Sequence, residues 1–251
     1  MELTTVAPDE VTVHDGTTVH RHVGLEPATA YRFDGLDATT LPRPKGELLG
    51  TFATVNDVHF GETEAGLIDG QGEAFSVPPG STPYPTLMNT DAVAEIAELD
   101  PVAVLVKGDL TTDGSAEQLA EFEATYRPTF GDRLHFIRGN HESYHHVEVG
   151  PSYERVELPG ALAIMLDTSR DGHPNGDLSA EQLERLDDEA ADSDVPVLVF
   201  GHHQIWLPDE DQRTDRFFGI LPDASEALQA LIARRLNVRG YFAGHTHRNR
   251  R

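Results

Sequence analysis

His245 and His247 flank a threonine in the string GHTH, and four earlier strings place comparable side chains directly after apolar runs. LLGTFATV leads into Asn56, Asp57, Val58 and His59; VAVLVKG into Asp109; LHFIRG into Asn140 and His141; VPVLVFG into His202 and His203; YFAG into His245 and His247. Imidazole, carboxylate and amide oxygen are donors for divalent first-row metals. The chain contains no cysteine, which excludes disulfides, thiolate nucleophiles and zinc–thiolate sites. Each string alone is weak evidence: Asp57 or Asp109 taken singly could cap a turn or a helix. Their order, each after a strand candidate, is what points to a single metal site, because ligands in open α/β sheets bind beyond the carboxyl ends of the strands. His14, His20, His22, His135 and His173 lack such a setting and read as surface or hydrogen-bonded histidines.

The elements that must position these residues alternate in type from Leu48 onward. Short apolar runs, several suited to burial on both faces, are separated by amphipathic segments: TDAVAEIAEL, SAEQLAEFEATY, SAEQLERLDDEAA and ASEALQALIARRL. Ser179 followed by Gln182 predicts a capping-box start for the third. This alternation predicts an α/β core. Residues 1–47 differ: VTVHDGTTVHRHVG predicts a hairpin around Asp15-Gly16, LEPATAYRFDG a further short strand and LPRPKG a rigid link, together a small β-rich arm. With 251 residues, 38% of them hydrophobic, the chain is long enough for one substantial domain or two small ones.

The series DVH, GDL, GNHE, GHH and GHTH resembles the calcineurin-like metallophosphoesterase family, over Asp57 to His247. The resemblance implies a four-layer αββα sandwich of two mixed sheets flanked by helices, with two metal ions at the strand ends. Carried over by position, it implies that Asp57, His59 and His247 hold one metal, that Asn140, His202 and His245 hold the other, and that Asp109 bridges both. His203 is the alternative to His202. The domain is expected over residues 48–251, and since further strands usually follow GHTH in the family, the chain is expected to lack C-terminal strands.

Two metals about 3.5–4 Å apart can hold a hydroxide between them and clamp phosphoryl oxygens during in-line attack. A carboxylate can bridge two cations and an imidazole cannot, which accounts for aspartate at position 109. Nitrogen and oxygen donors without thiolate suit two divalent or mixed-valence ions of manganese, iron or zinc. His141, beside a ligand but free itself, is placed to donate a proton to the leaving alkoxide or to steady the phosphate. Glycines at 108, 139, 201 and 244 are expected to supply the sharp turns where ligands emerge. His245 and His247 are expected to lie in extended chain, with rings to one side.

The implied reaction is hydrolysis of a small phosphodiester of cyclic-nucleotide or glycerophosphodiester type. A phosphomonoesterase, or a non-catalytic metal- or phosphate-binding module, is the alternative. The arm is similar to the late strands of a fibronectin-like domain, such as precedes the catalytic domain of purple acid phosphatases, and is expected to pack on the catalytic domain. That subtype carries a tyrosine where this chain has Thr112, and lacks a histidine matching His59. Three stretches are candidate rims: residues 60–85, rich in glycine and proline; Tyr144, His145 and His146; and the loop carrying Trp206, Arg213, Arg216, Phe217 and Phe218, whose aromatics serve either to stack a base or to pin the loop to the core. A net charge of -24 disfavours duplex nucleic acid and anionic membranes unless a local cationic site overrides it. Without a signal-like start or an apolar run of membrane length, a cytoplasmic protein is expected.

Overall fold

The computed structural model describes residues 1–16, 18–33, 35–65, 75–207 and 217–247. The chain divides into two compact units, Met1–Leu48 and the part from Leu49 onward. In the first, β1 (Glu2–Val6), β2 (Glu10–Asp15) and β3 (Thr18–Val23) form an antiparallel meander, and β4 (Ala30–Phe33) pairs with β5 (Leu36–Thr39). Val11, Val13 and Ala38 make its small core. The Tyr31 hydroxyl accepts a hydrogen bond from the Glu26 N–H at 2.8 Å, a brace within the arm.

The second unit runs β6 (Ala53–Val55), β7 (Glu64–Ala65), β8 (Phe75–Ser76), α1 (Tyr84–Glu98), β9 (Val104–Lys107), α2 (Ala116–Phe130), β10 (Leu134–Ile137), α3 (Asn140–Tyr144), β11 (Tyr153–Leu158), β12 (Ala161–Leu166), α4 (Ala180–Asp192), β13 (Val197–Gly201), α5 (Pro222–Arg234) and β14 (Val238–Phe242). One sheet has the order β10-β9-β6 and the other β11-β12-β13-β14. Side-chain alternation along β9 shows how they stack. Val104 and Val106 pack with Phe122 and Tyr126 of α2 and Val93 of α1. Ala103 and Leu105 instead join Val156, Ala163, Met165 and Phe200 between the sheets. The outer face of the second sheet, with Leu162, Ile164 and Leu166, meets Leu186 of α4 and Leu228 and Leu231 of α5. The layers are therefore helix, sheet, sheet, helix, and each fully buried Leu, Ile or Val contributes about 1.5–3 kcal/mol of transfer free energy.

The fold departs from the sequence expectations in several places. The first sheet is entirely parallel rather than mixed, whereas the second pairs β11 antiparallel to β12 and the rest parallel. Helix α1 begins at Tyr84 rather than Thr90, because Pro85 sits in the first turn, where its missing N–H goes unused. Strand β11 was not anticipated, although Tyr153, Val156 and Leu158 are buried and a Pro159-Gly160 turn returns the chain as β12. The short helix α3 over the GNHE string was likewise not anticipated. Within residues 60–85, expected to hold no regular element, β7 and β8 pair as a two-residue ladder, and 66–74 lie outside the described residues. The capping box forms as expected: Ser179 Oγ accepts from the Gln182 N–H at 3.1 Å, and Gln182 Oε1 accepts from the Ser179 N–H at 3.0 Å. Among the described residues no helix is long and apolar enough to cross a membrane.

Candidate metal centre

Five chain segments leaving the carboxyl ends of β6, β9, β10, β13 and β14 meet at one place. The segments after β6 and β9 continue to pair beyond the sheet: the N–H groups of Asp57, His59 and Phe60 donate to the carbonyls of Gly108, Asp109 and Leu110 at 3.2, 2.9 and 3.1 Å. Val58 and Phe60 point into the core and are 4% and 0% exposed, which leaves Asp57 and His59 for the opposite side. The turns are not made by glycine alone. Asp57, His59, Asp109, His245 and His247 themselves adopt φ values of 55°, 46°, 50°, 68° and 47°. This is left-handed backbone that aspartate, asparagine and histidine tolerate better than most residues, yet each instance costs of order 1 kcal/mol or more. His245 and His247 are thus not in extended chain.

Of the four glycines, Gly108 has a positive φ, 84°. Gly139 is extended and is required for space: a Cβ there would lie 2.1 Å from Asp109 Oδ1. A Cβ at Gly244 would meet Asp57 Oδ2 at 2.8 Å, and one at Gly201 the Tyr241 hydroxyl at 2.2 Å.

Asp109, 2% exposed, lies between two groups of donors. Its Oδ2 is 3.2 Å from His202 Nε2 and 3.7 Å from His59 Nε2, and its Oδ1 accepts from the His141 N–H at 3.0 Å. On one side, His59 Nε2 faces His247 Nε2 at 3.2 Å, and His247 Nε2 is 3.5 Å from Asp57 Oδ1. On the other, His202 Nε2 is 2.9 Å from Asn140 Oδ1, while its Nδ1–H donates to the Lys107 carbonyl at 2.9 Å. The buried Nε2 of His245 has no hydrogen-bond partner among the described residues. Asp57 accepts from the His245 N–H at 3.0 and 3.1 Å, so the first segment holds the last.

His203 is fully buried, with Nδ1 2.8 Å from Thr168 Oγ1 and Nε2 without a partner, and it groups with His202 and His245. Asn140 and Asp109, however, converge on His202. His141 Nδ1–H donates to the Thr112 carbonyl at 2.7 Å, and the ring lies edge-on to His59 with centroids 4.6 Å apart. By sequence, Glu142 either contacts the site or merely orients His141, and it stands outside the catalytic set. This fully buried carboxylate accepts from the Thr111 N–H and hydroxyl at 2.8 and 2.7 Å and from the Gly139 N–H at 2.8 Å, stitching the segment after β9 to the segment after β10.

The electrostatics follow from burial and these contacts. Burial opposes the charged forms of His202 and Asp109, but their mutual attraction outweighs it, raising His202 to about 9 and holding Asp109 well below the usual carboxylate range. Burial lowers His245 to about 3 and holds His203 well below the ordinary histidine value, with the charge on His202 adding to both. A hydrogen bond donated to Asp57 raises His247. Facing imidazole nitrogens and a buried Nε2 without a partner, with two carboxylates and an amide oxygen beside them, fit cations: the confronted Nε2 atoms of His59 and His247 and the buried Nε2 of His245 are groups a cation would satisfy. Four groups of three such residues, drawn from Asp57, His59, Asp109, His141, His202, His203, His245 and His247, each hold their ligand atoms within 4.8 Å of one another.

The candidate rims differ. Trp206 is 5% exposed, its N–H donates to Ser225 Oγ at 2.9 Å and its carbonyl accepts from Gln229 Nε2 at 2.8 Å, so it pins its loop to α5. Phe218 is 53% exposed, with its ring 4.1 Å from that of His245, centroid to centroid. Arg213 and Arg216 lie outside the described residues. Tyr144, His145 and His146 are exposed, and His146 Nδ1 is 2.8 Å from Asp171. His135 pairs with Glu154 and His22 stacks on Phe33.

A family model described as calcineurin-like phosphoesterase matches residues 50–249. A protein of Rhodococcus erythropolis described as a probable cyclic nucleotide phosphodiesterase is 27% identical over 221 residues, covering 82% of this chain and 66% of its own length. The chain thus spans slightly under two thirds of that relative. A dimetal phosphatase from Danio rerio superposes with a TM-score of 0.61 at 18% identity, over 80% of this chain and 82% of that one. A purple acid phosphatase from yellow lupin seeds gives 0.52 at 16% identity, over 91% and 46%. At these identities the two structures bear on fold alone.

Proposed function

The chain belongs to the calcineurin-like phosphoesterase family, and from that premise we propose that it hydrolyses a small phosphodiester, of cyclic-nucleotide or glycerophosphodiester type, with two divalent metal ions. Asp57, His59 and His247 would hold one ion, Asn140, His202 and His245 the other, and Asp109 would be shared. The observation that carries this reading is the placement of Asp109 Oδ2 within 3.2 Å of His202 Nε2 and 3.7 Å of His59 Nε2, one carboxylate oxygen serving both groups. When bound, manganese, iron or zinc supplies Lewis acidity for activating water and for neutralising phosphoryl oxygens. In a chain of net charge -24, that local positive charge is also what would admit an anionic substrate.

The chain's own residues orient and move protons. The Lys107 carbonyl fixes the His202 tautomer, so Nε2 faces Asn140 and Asp109. The Thr112 carbonyl holds the His141 Nδ1–H, which leaves the other ring nitrogen of a half-buried imidazole to give a proton to the leaving alkoxide. The diester preference is supported by the description of the Rhodococcus relative and by the DVH and GNHE strings. The test combines metal analysis with hydrolysis of bis(p-nitrophenyl) phosphate against p-nitrophenyl phosphate in manganese. Faster turnover of the diester is expected. Preference for the monoester would reassign the substrate class, and bound metal without turnover of either would leave a binding module.

A further inference from the structure

Lys107 is one of two lysines in the chain, the other being Lys45, and it is 5% exposed at the end of β9. A lysine is almost never buried to that degree without a partner, and an ammonium beneath a cluster of cation ligands is electrostatically adverse unless it does something there. Its Nζ donates to the Ala243 carbonyl at 3.3 Å, across 136 positions of sequence. Ala243 immediately precedes Gly244 and His245, so the bond grips the GHTH turn at its root. The Lys107 carbonyl meanwhile accepts from His202 Nδ1 at 2.9 Å. One residue thus touches two of the five ligand segments through two different groups; burial lowers the pKa of its ammonium, and the Asp57 carboxylate only partly opposes that.

We propose that Lys107 is a positioning residue: its side-chain nitrogen tethers the turn carrying His245 and His247, so that the ligand set is assembled before cations arrive. This rests on the metal-site reading above for its consequence; the tether itself rests only on the contact between Lys107 Nζ and the Ala243 carbonyl. Val55 and Ile137 flank this end of β9 in the sheet and cannot supply the donor.

The whole chain labelled with 15N at lysine should give two ammonium signals, with Lys45 as the internal control. In metal-free protein the Lys107 ammonium protons are expected to exchange with water far more slowly than those of Lys45, and its signal should move on addition of zinc. Exchange as fast as that of Lys45 would overturn the tether, and this measurement needs no variant to fold. Lys107→Met, nearly isosteric and uncharged, is expected to weaken metal binding about 10–100-fold, with Lys107→Arg restoring part of the loss. Excess metal should return the Lys107→Met rate without changing the substrate KM. A raised KM that metal does not correct would place Lys107 against substrate and overturn the positioning role, as would unchanged metal affinity. Should neither protein turn over substrate, the metal titration and the exchange rates still decide on Lys107, separately from the proposed reaction.

Discussion

Raising the pH of the metal-free protein from 6.5 to 9 should remove about 3 kcal/mol of its stability. His202 donates from Nδ1 to Lys107 and faces Asn140 and Asp109 from Nε2, an environment in which the doubly protonated ring is satisfied at both nitrogens. Its pKa is raised to about 9, against about 6.5 in an unfolded chain. A raised histidine contributes fully below the unfolded value and loses that contribution as pH climbs through the folded one. The difference corresponds to about 3 kcal/mol, undiscounted for solvent because His202 is 0% exposed. The depression of Asp109 is the same interaction seen from its partner and is not added. His247, also raised, acts in the same sense. His203, His245 and His59 are lowered by burial, so the unfolded chain binds their protons more readily and stability falls again as pH drops below about 6.5. Urea denaturation of chelated protein at half-unit steps from pH 5 to 9 should therefore give a maximum near pH 6.5. Saturating zinc should flatten the alkaline limb, because a cation takes the place of the His202 proton. A limb that rises from 6.5 to 9, or one unaltered in His202→Asn, would refute the reasoning.

Three further outcomes follow from particular contacts. His141→Ala should keep both metal equivalents by elemental analysis and lose about 10²–10⁴ in kcat; an unchanged rate would remove His141 from the reaction. Gly139→Ala drives a methyl to within 2.1 Å of Asp109 Oδ1 and should lower metal stoichiometry while costing about 1–3 kcal/mol in denaturant melts. Glu142→Ala leaves two buried N–H groups, those of Thr111 and Gly139, without their acceptor and should cost about 2–6 kcal/mol; a loss under about 1 kcal/mol would show that the two segments hold their shape without it.

That the donor-bearing strings converge was legible because each follows an apolar strand whose end is fixed by burial. Asp109 and His202 can be found that way without coordinates. The backbone conformation of these residues was not. Nothing in DVH or GHTH distinguishes extended chain from left-handed turns, since side-chain type constrains φ only weakly for aspartate and histidine. The same limit explains Gly139, which reads as a flexible turn in sequence but is a glycine for want of room beside Asp109. Strand β11 was overlooked because Glu154, Arg155 and Glu157 dilute its apolar face, although the alternation was present. Glu142 and Lys107 act through contacts with residues 31 and 136 positions away, which no local pattern encodes.

The ligand segments are drawn from both sheets: those after β6, β9 and β10 from one, those after β13 and β14 from the other. These sheets share no strand, and apart from the apolar layer between them the site is where their ends are joined most directly. Asp57 and His245 are 188 positions apart, so closing that contact orders nearly the whole second unit at once. Cations held there, as proposed, would act as a rivet through two plates. Separation of the sheets must then wait on their release, and the lifetime of the native chain against heat or protease is expected to follow the metal off-rate rather than the packing of either sheet alone.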